Sequence, residues 1–134
     1  MKRALGIIIE LSKVRIACLA TASAATGYVL ALRGVSLAML PMLAGVFLLA
    51  CGAGALNQAQ EGDIDARMKR TRGRPIPSGR IRARDAAMVA VALIASGSVL
   101  LAVQPLAMLL GFVTVLWYNA VYTPLVYTRP VVEV

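Results

Sequence analysis

Ala86 to Thr128 is a run of 43 residues without a charged side chain. A helix that crosses a bilayer needs about 20 mainly apolar residues. The run is therefore long enough for two crossings, and a small soluble domain has no use for it. Two shorter uncharged runs precede it: Ile16 to Leu32, with 17 residues, and Gly34 to Gln60, with 27. Lipid offers no partner for backbone N–H and C=O groups, so such runs span as helices that satisfy their own backbone. The pattern predicts an all-α, polytopic integral membrane protein with about four transmembrane helices. Charged residues make up 15% of the chain, against about 25% in soluble domains. This composition argues against a disordered chain and against a secreted disulfide scaffold. Cys18 and Cys51 both fall inside apolar runs and read as small buried hydrophobes.

A net charge of +8 raises the question of nucleic-acid binding. The positions of the charges argue against it. With four crossings and the N-terminus inside, 13 of the 14 basic residues face the cytoplasm, and only Arg33 lies outside. That is the asymmetry of the positive-inside rule. The expected placement is a bacterial plasma membrane, with both termini cytoplasmic and no nucleic-acid partner. The spans are expected at about 14–32, 35–56, 85–103 and 106–127, in one membrane domain covering 1–134. Pro41 is expected to kink the second span, and Asp85 to cap the third. Gln104-Pro105 breaks the long run into two spans. Residues 1–12 are expected to form a short amphipathic helix on the membrane. Tyr28 and Tyr127 read as interfacial anchors. Asn119, polar within an apolar run, is expected to face a neighbouring helix or a wet cavity.

The segment from 57 to 84 carries the chemistry. Asn57, Glu61 and Asp65 recur every four residues. At about 100° per residue they drift only about 40° per step and share one helical face. If the second span continues past the membrane surface, three oxygen donors line its end. Mg²⁺ takes hard oxygen ligands, typically one or two carboxylates plus substrate phosphates, so this row is a candidate magnesium site. Arg70 and Arg74 follow at the same spacing, with Lys69 beside them. Guanidinium forks bind phosphate oxygens two at a time. Pro75, Pro77 and Gly79 predict a loop over the site. Acidic and basic clusters at a membrane helix end suit a diphosphate on a lipid tail. Solvated loops also mix charges freely, and eight basic residues here would serve topology alone.

These residues resemble the UbiA superfamily of intramembrane prenyltransferases. Its first acidic motif begins with Asn and places acidic residues four and eight positions later, here Asn57, Glu61 and Asp65. An R-T-x-x-R-P element follows, here Arg70-Thr71-Arg72-Gly73-Arg74-Pro75. The wording from Asp63 to Pro75 is most similar to the haem O synthase branch, the protoheme IX farnesyltransferases. Lys13-Val14-Arg15-Ile16 and Tyr122-Thr123-Pro124-Leu125 resemble two further elements of that branch. The resemblance implies the N-terminal half of a UbiA-type helical bundle. It implies Mg²⁺-dependent transfer of a farnesyl group from farnesyl diphosphate, a polyprenyl diphosphate, to haem B or another aromatic acceptor. It assigns metal binding to Asn57, Glu61 and Asp65 and diphosphate binding to Arg70 and Arg74. Arg15, Asn119 and Tyr122 are expected to line the cavity.

Members of the superfamily are about twice this length and carry a second acidic motif. Here no acidic residue lies between Asp85 and Glu133. The basic pair that follows Y-T-x-L in the family is Val126 and Tyr127 here. Three readings stay open. The chain is an inactive truncated homologue, a half-enzyme completed by a C-terminal half-protein or by a homo-oligomer, or a non-catalytic binding or assembly protein for polyprenyl lipid or haem.

Overall fold

The structure is a computed structural model that describes residues 1–127. Arg129, Glu133, the C-terminus and the Tyr127 side chain lie outside the described residues. Among the described residues every regular element is helical: α1 (Lys2–Leu11), α2 (Val14–Leu32), α3 (Met39–Arg67), α4 (Ala83–Leu101), α5 (Pro105–Leu116), a π-helical segment (Trp117–Tyr122) and α6 (Thr123–Tyr127). Four stretches are long and apolar enough to cross a membrane: α2, α3, α4 and the continuous rod from Pro105 to Leu125. Their outer faces carry Leu19, Leu30, Val91, Leu110 and Trp117 exposed. Such a surface is inverted relative to a soluble protein and suits lipid contact. The protein is an integral membrane protein.

Helix α3 is the axis of the bundle. It packs against α4, α2, α5, the π segment and α1. The α3–α4 approach is built on glycine. A Cβ on Gly97 would lie 2.8 Å from the Gly45 carbonyl oxygen and 2.9 Å from the Leu49 nitrogen. One on Gly52 would lie 3.0 Å from the Ala90 oxygen. Small residues let membrane helices meet backbone to backbone, where dispersion replaces the hydrophobic drive. Gly97→Val is therefore expected to force the helices apart. The expected loss is about 2 kcal/mol, read as a lower melting temperature in detergent. An unchanged melt would show that the backbones are not in contact.

The observed elements differ from the expected ones at several points. Helix α3 begins at Met39 rather than Val35, and Pro41 sits in its first turn instead of kinking it. The first N–H groups of a helix have no intrahelical partner, so proline costs nothing there. Helix α3 then runs on to Arg67, well past the expected loop boundary at 57. Asp85 is not the cap of α4. Arg82 holds that position, and Asp85, in the first turn, accepts a hydrogen bond from Arg82 Nε at 3.0 Å. A carboxylate there complements the positive end of the helix dipole. The last span carries a π segment that ends just before Thr123-Pro124. There the Thr123 N–H and hydroxyl both bond the Tyr118 carbonyl, five residues back. Finally, Cys51 is buried as expected but Cys18 is exposed.

A small core closes the polar end of the bundle, where Leu11, Ala55, Ala86 and Ala90 are buried with Ile76 and Ile81 against them. Gln58 ties α1 to it by donating from Nε2 to the Glu10 and Leu11 carbonyls, each at 3.0 Å. These are orphan carbonyls of a helix end. The 68–82 loop is drawn down on the same side by Arg80, which pairs with Glu10 at 2.8 Å and donates to the Gly73 carbonyl. Gly79, at φ +74, gives this loop the left-handed turn that other residues resist.

Candidate functional site

The continuation of α3 puts Asn57, Glu61 and Asp65 on consecutive turns of one helix. Asp65 is buried, and both its carboxylate oxygens accept from Arg74 Nη1, at 2.9 and 2.7 Å. The same nitrogen lies 4.0 Å from Glu61. A single guanidinium thus stands between the two carboxylates. Arg74 reaches them because the helix ends sharply. Met68 is extended, and the buried Thr71 donates its hydroxyl to the Asp65 carbonyl at 3.0 Å. The R-T-x-x-R-P element therefore caps α3 with its threonine, grips Asp65 with its second arginine and buries Pro75. The threonine's part was not read from the sequence. A Thr just after a helix, able to satisfy a terminal carbonyl, was the available signal.

Asn57 sits one turn deeper and is 2% exposed. Its Oδ1 accepts from Lys13 Nζ at 3.2 Å and from the Tyr118 hydroxyl at 2.8 Å. Its Nδ2 makes no well-formed hydrogen bond and lies toward the Glu61 carboxylate. Lys13 occupies the joint between α1 and α2 in a left-handed conformation, φ 46 and ψ 49. That conformation is strained for a side chain with a Cβ and persists where packing imposes it. Burial draws the Lys13 pKa below the usual lysine value. Glu61 works against this shift, Arg74 adds to it, and Asp65 opposes it.

Below this polar cluster lies an apolar cavity of about 320 Å³ between α2, α3 and the last span. Its wall includes Ile16 and Ala20, Leu49 and Ala53, and Val115. Lys13 and Tyr118 belong to the wall as well as to the cluster. The arrangement is a greasy chamber with Lys13 in its wall and the Glu61, Asp65 and Arg74 cluster further along α3. It suits a ligand with an apolar tail and an anionic head, the recipe of a concave site with a few placed polar groups.

Several expected site residues stand elsewhere. Arg15 is exposed and is not in the cavity wall. The wall takes Lys13, Ile16 and Ala20, three to four residues apart, and this rotation of α2 turns Arg15 away. Tyr122 is exposed and stacks on Tyr118 with ring centroids 5.5 Å apart. Asn119 is buried, but its amide donates to the Val115 carbonyl at 3.0 Å rather than facing the cavity. Its Oδ1 has no partner. Arg70 and Lys69 are exposed, and neither forms an ion pair among the described residues. The four-residue spacing does not bring Arg70 beside Arg74, because the chain leaves helix at Met68. Lys13 and Tyr118 are the residues that sequence reasoning left out of the site.

Comparison with known proteins places this geometry in a family. The sequence pattern of the UbiA prenyltransferase family matches residues 18–134. The chain belongs to the UbiA prenyltransferase family. It is 42% identical over 112 residues to the protoheme IX farnesyltransferase of Geobacter sulfurreducens, covering 83% of this chain and 42% of that one. It is 39% identical over 118 residues to that of Oleidesulfovibrio alaskensis, covering 87% and 42%. With the mitochondrial protoheme IX farnesyltransferase of Arabidopsis thaliana it shares 38% over 127 residues, covering 91% and 30%. This UbiA chain thus spans about two-fifths of the length of the two bacterial relatives. No solved structure matches it.

Proposed function

We propose that this chain forms the prenyl-diphosphate-binding part of a protoheme IX farnesyltransferase, which transfers a farnesyl group from farnesyl diphosphate to haem B. The observation that carries the reading is that Lys13 and Tyr118, both in the wall of the apolar chamber, bond Asn57, one turn along α3 from the Glu61, Asp65 and Arg74 cluster. The farnesyl tail would lie in the chamber and the diphosphate at that cluster. The relatives' name supplies the acceptor.

The cluster suits magnesium. Glu61 and Asp65 already converge on one cation, the Arg74 guanidinium. Two carboxylates plus phosphate oxygens are a usual magnesium set. Among the described residues no three Asp, Glu, Cys or His side chains gather, so the remaining ligands would be phosphates or water. Bound there, magnesium would neutralise charge developing on the departing diphosphate. Arg74 is placed to hold phosphate oxygens with its fork, and the chamber wall to exclude water from the tail. With no histidine in this chain, haem would be held without an imidazole from it. The second acidic motif would come from further polypeptide, on the same chain, on a separate C-terminal half-protein or on a second copy. The proposed setting is a bacterial plasma membrane with the cluster cytoplasmic.

The test is direct binding. The chain in lipid nanodiscs is expected to bind farnesyl diphosphate saturably with magnesium, and at least about tenfold more weakly after chelation, a difference of about 1.4 kcal/mol. No binding under either condition would end the reading.

A further inference from the structure

We propose that Lys13 seats the phosphate nearest the prenyl chain, with the amide of Asn57 beside it. The inference rests on the diphosphate reading above and adds a residue to it. Three observations carry it. First, Lys13 holds the only charge in the chamber wall among the described residues, whereas Glu61, Asp65 and Arg74 stand outside that wall. A diphosphate whose tail fills the chamber must bring its inner phosphate past Lys13 before its outer phosphate meets Arg74.

Second, the Lys13 ammonium is not neutralised by contact. Among the described residues it forms no ion pair, and its hydrogen bond goes to a neutral amide oxygen. An ammonium has three N–H donors and no acceptor, so two remain for a ligand. Arg74, by contrast, is already paired with two carboxylates. Third, Asn57 Nδ2 is a donor with no well-formed hydrogen bond on a side chain 2% exposed, and it lies toward the Glu61 carboxylate, so it points to the charged cluster. A buried donor left unmade is costly. Lys13 can only donate, which fixes the Asn57 oxygen toward it and leaves the amide N–H groups to the ligand. The hydrogen bond to Asn57 holds the ammonium at this spot, on a residue whose backbone is left-handed. Strain of this kind concentrates at ligand sites.

The experiment compares three ligands that share one tail: farnesyl diphosphate, farnesyl monophosphate and farnesol. Each is titrated onto the full chain in nanodiscs, for the parent, Lys13→Met, Lys13→Arg and Arg74→Ala. Lys13→Met keeps the apolar stem and removes the charge. It is expected to weaken both phosphates by about tenfold or more, the scale of a charge-assisted hydrogen bond. Farnesol affinity is expected to stay within about twofold, since the chamber is intact. Lys13→Arg should restore much of the phosphate affinity. Arg74→Ala should weaken the diphosphate more than the monophosphate, because it acts on the outer phosphate. Unchanged monophosphate binding by Lys13→Met overturns the proposal. So does an equal loss for farnesol, which would mark Lys13 as packing. If Arg74→Ala loses the diphosphate while Lys13→Met does not, the diphosphate reading stands and the Lys13 seat falls. If the parent binds neither phosphate, both fall.

Discussion

Asp65→Asn is expected to abolish magnesium-dependent binding of farnesyl diphosphate and to lower the stability of the protein together. Asp65 is 4% exposed and accepts twice from Arg74. Neutralising it strands a half-buried guanidinium beside Glu61. Hydrogen bonds to charged groups contribute about 2 kcal/mol. Arg74 is 29% exposed on its side chain, so water screens part of that cost. The melting temperature should fall by up to about 8 °C, the shift that about 2 kcal/mol produces in a chain of this size. Glu61→Gln separates the two effects. Glu61 stands 4.0 Å from Arg74, at the limit of a contact, so its loss should leave the melt unchanged. It removes one of two carboxylates on the site, so the magnesium dependence of binding should still fall steeply. Titration of farnesyl diphosphate against magnesium, beside a melt, reads both variants. Full magnesium dependence in both would remove the carboxylates from the site.

The division between what the sequence discloses and what it conceals follows the range of each interaction. Membrane spans are legible because they are local. An uncharged run of 43 residues has few alternatives to lipid, and the structure makes two membrane-long helices of it. Helix ends are less legible, since a single turn decides them. Pro41 suggests a kink yet sits harmlessly in a first turn, and Asp85 suggests a cap that belongs to Arg82. The four-residue recurrence of Asn57, Glu61 and Asp65 carries into space because α3 stays helical to Arg67. The same recurrence fails for Arg70 and Arg74, which lie beyond the break at Met68. Lys13 and Tyr118 stand 44 and 61 residues from Asn57. No periodicity connects such positions. Lys13 rather than the expected Arg15 reaches the chamber because of the rotation of α2, which starts from a left-handed residue that no propensity announces.

Ala53→Phe is expected to remove farnesyl diphosphate binding by the opposite route, through the tail. Ala53 lies in the wall of the 320 Å³ chamber, one turn below Asn57. A phenyl ring there would occupy space the prenyl chain needs, and buried methylenes are worth about 0.8 kcal/mol each. Displacing even three from the chamber costs about 2.4 kcal/mol, or about fiftyfold in affinity. Inorganic pyrophosphate has no tail, so its magnesium-dependent binding should stay within about twofold. Farnesol should be lost as severely as farnesyl diphosphate. The phenyl ring fills a cavity rather than meeting a packed helix, so the melting temperature should hold or rise. The pattern is the mirror image of Asp65→Asn, which should lose pyrophosphate and keep farnesol. Two variants with opposite ligand profiles separate head from tail in a way that general unfolding does not. If both lose all three ligands alike, chamber and cluster are one packing unit. If Ala53→Phe binds farnesyl diphosphate as the parent does, the tail lies elsewhere, and the groove between α2 and the last span holds only lipid.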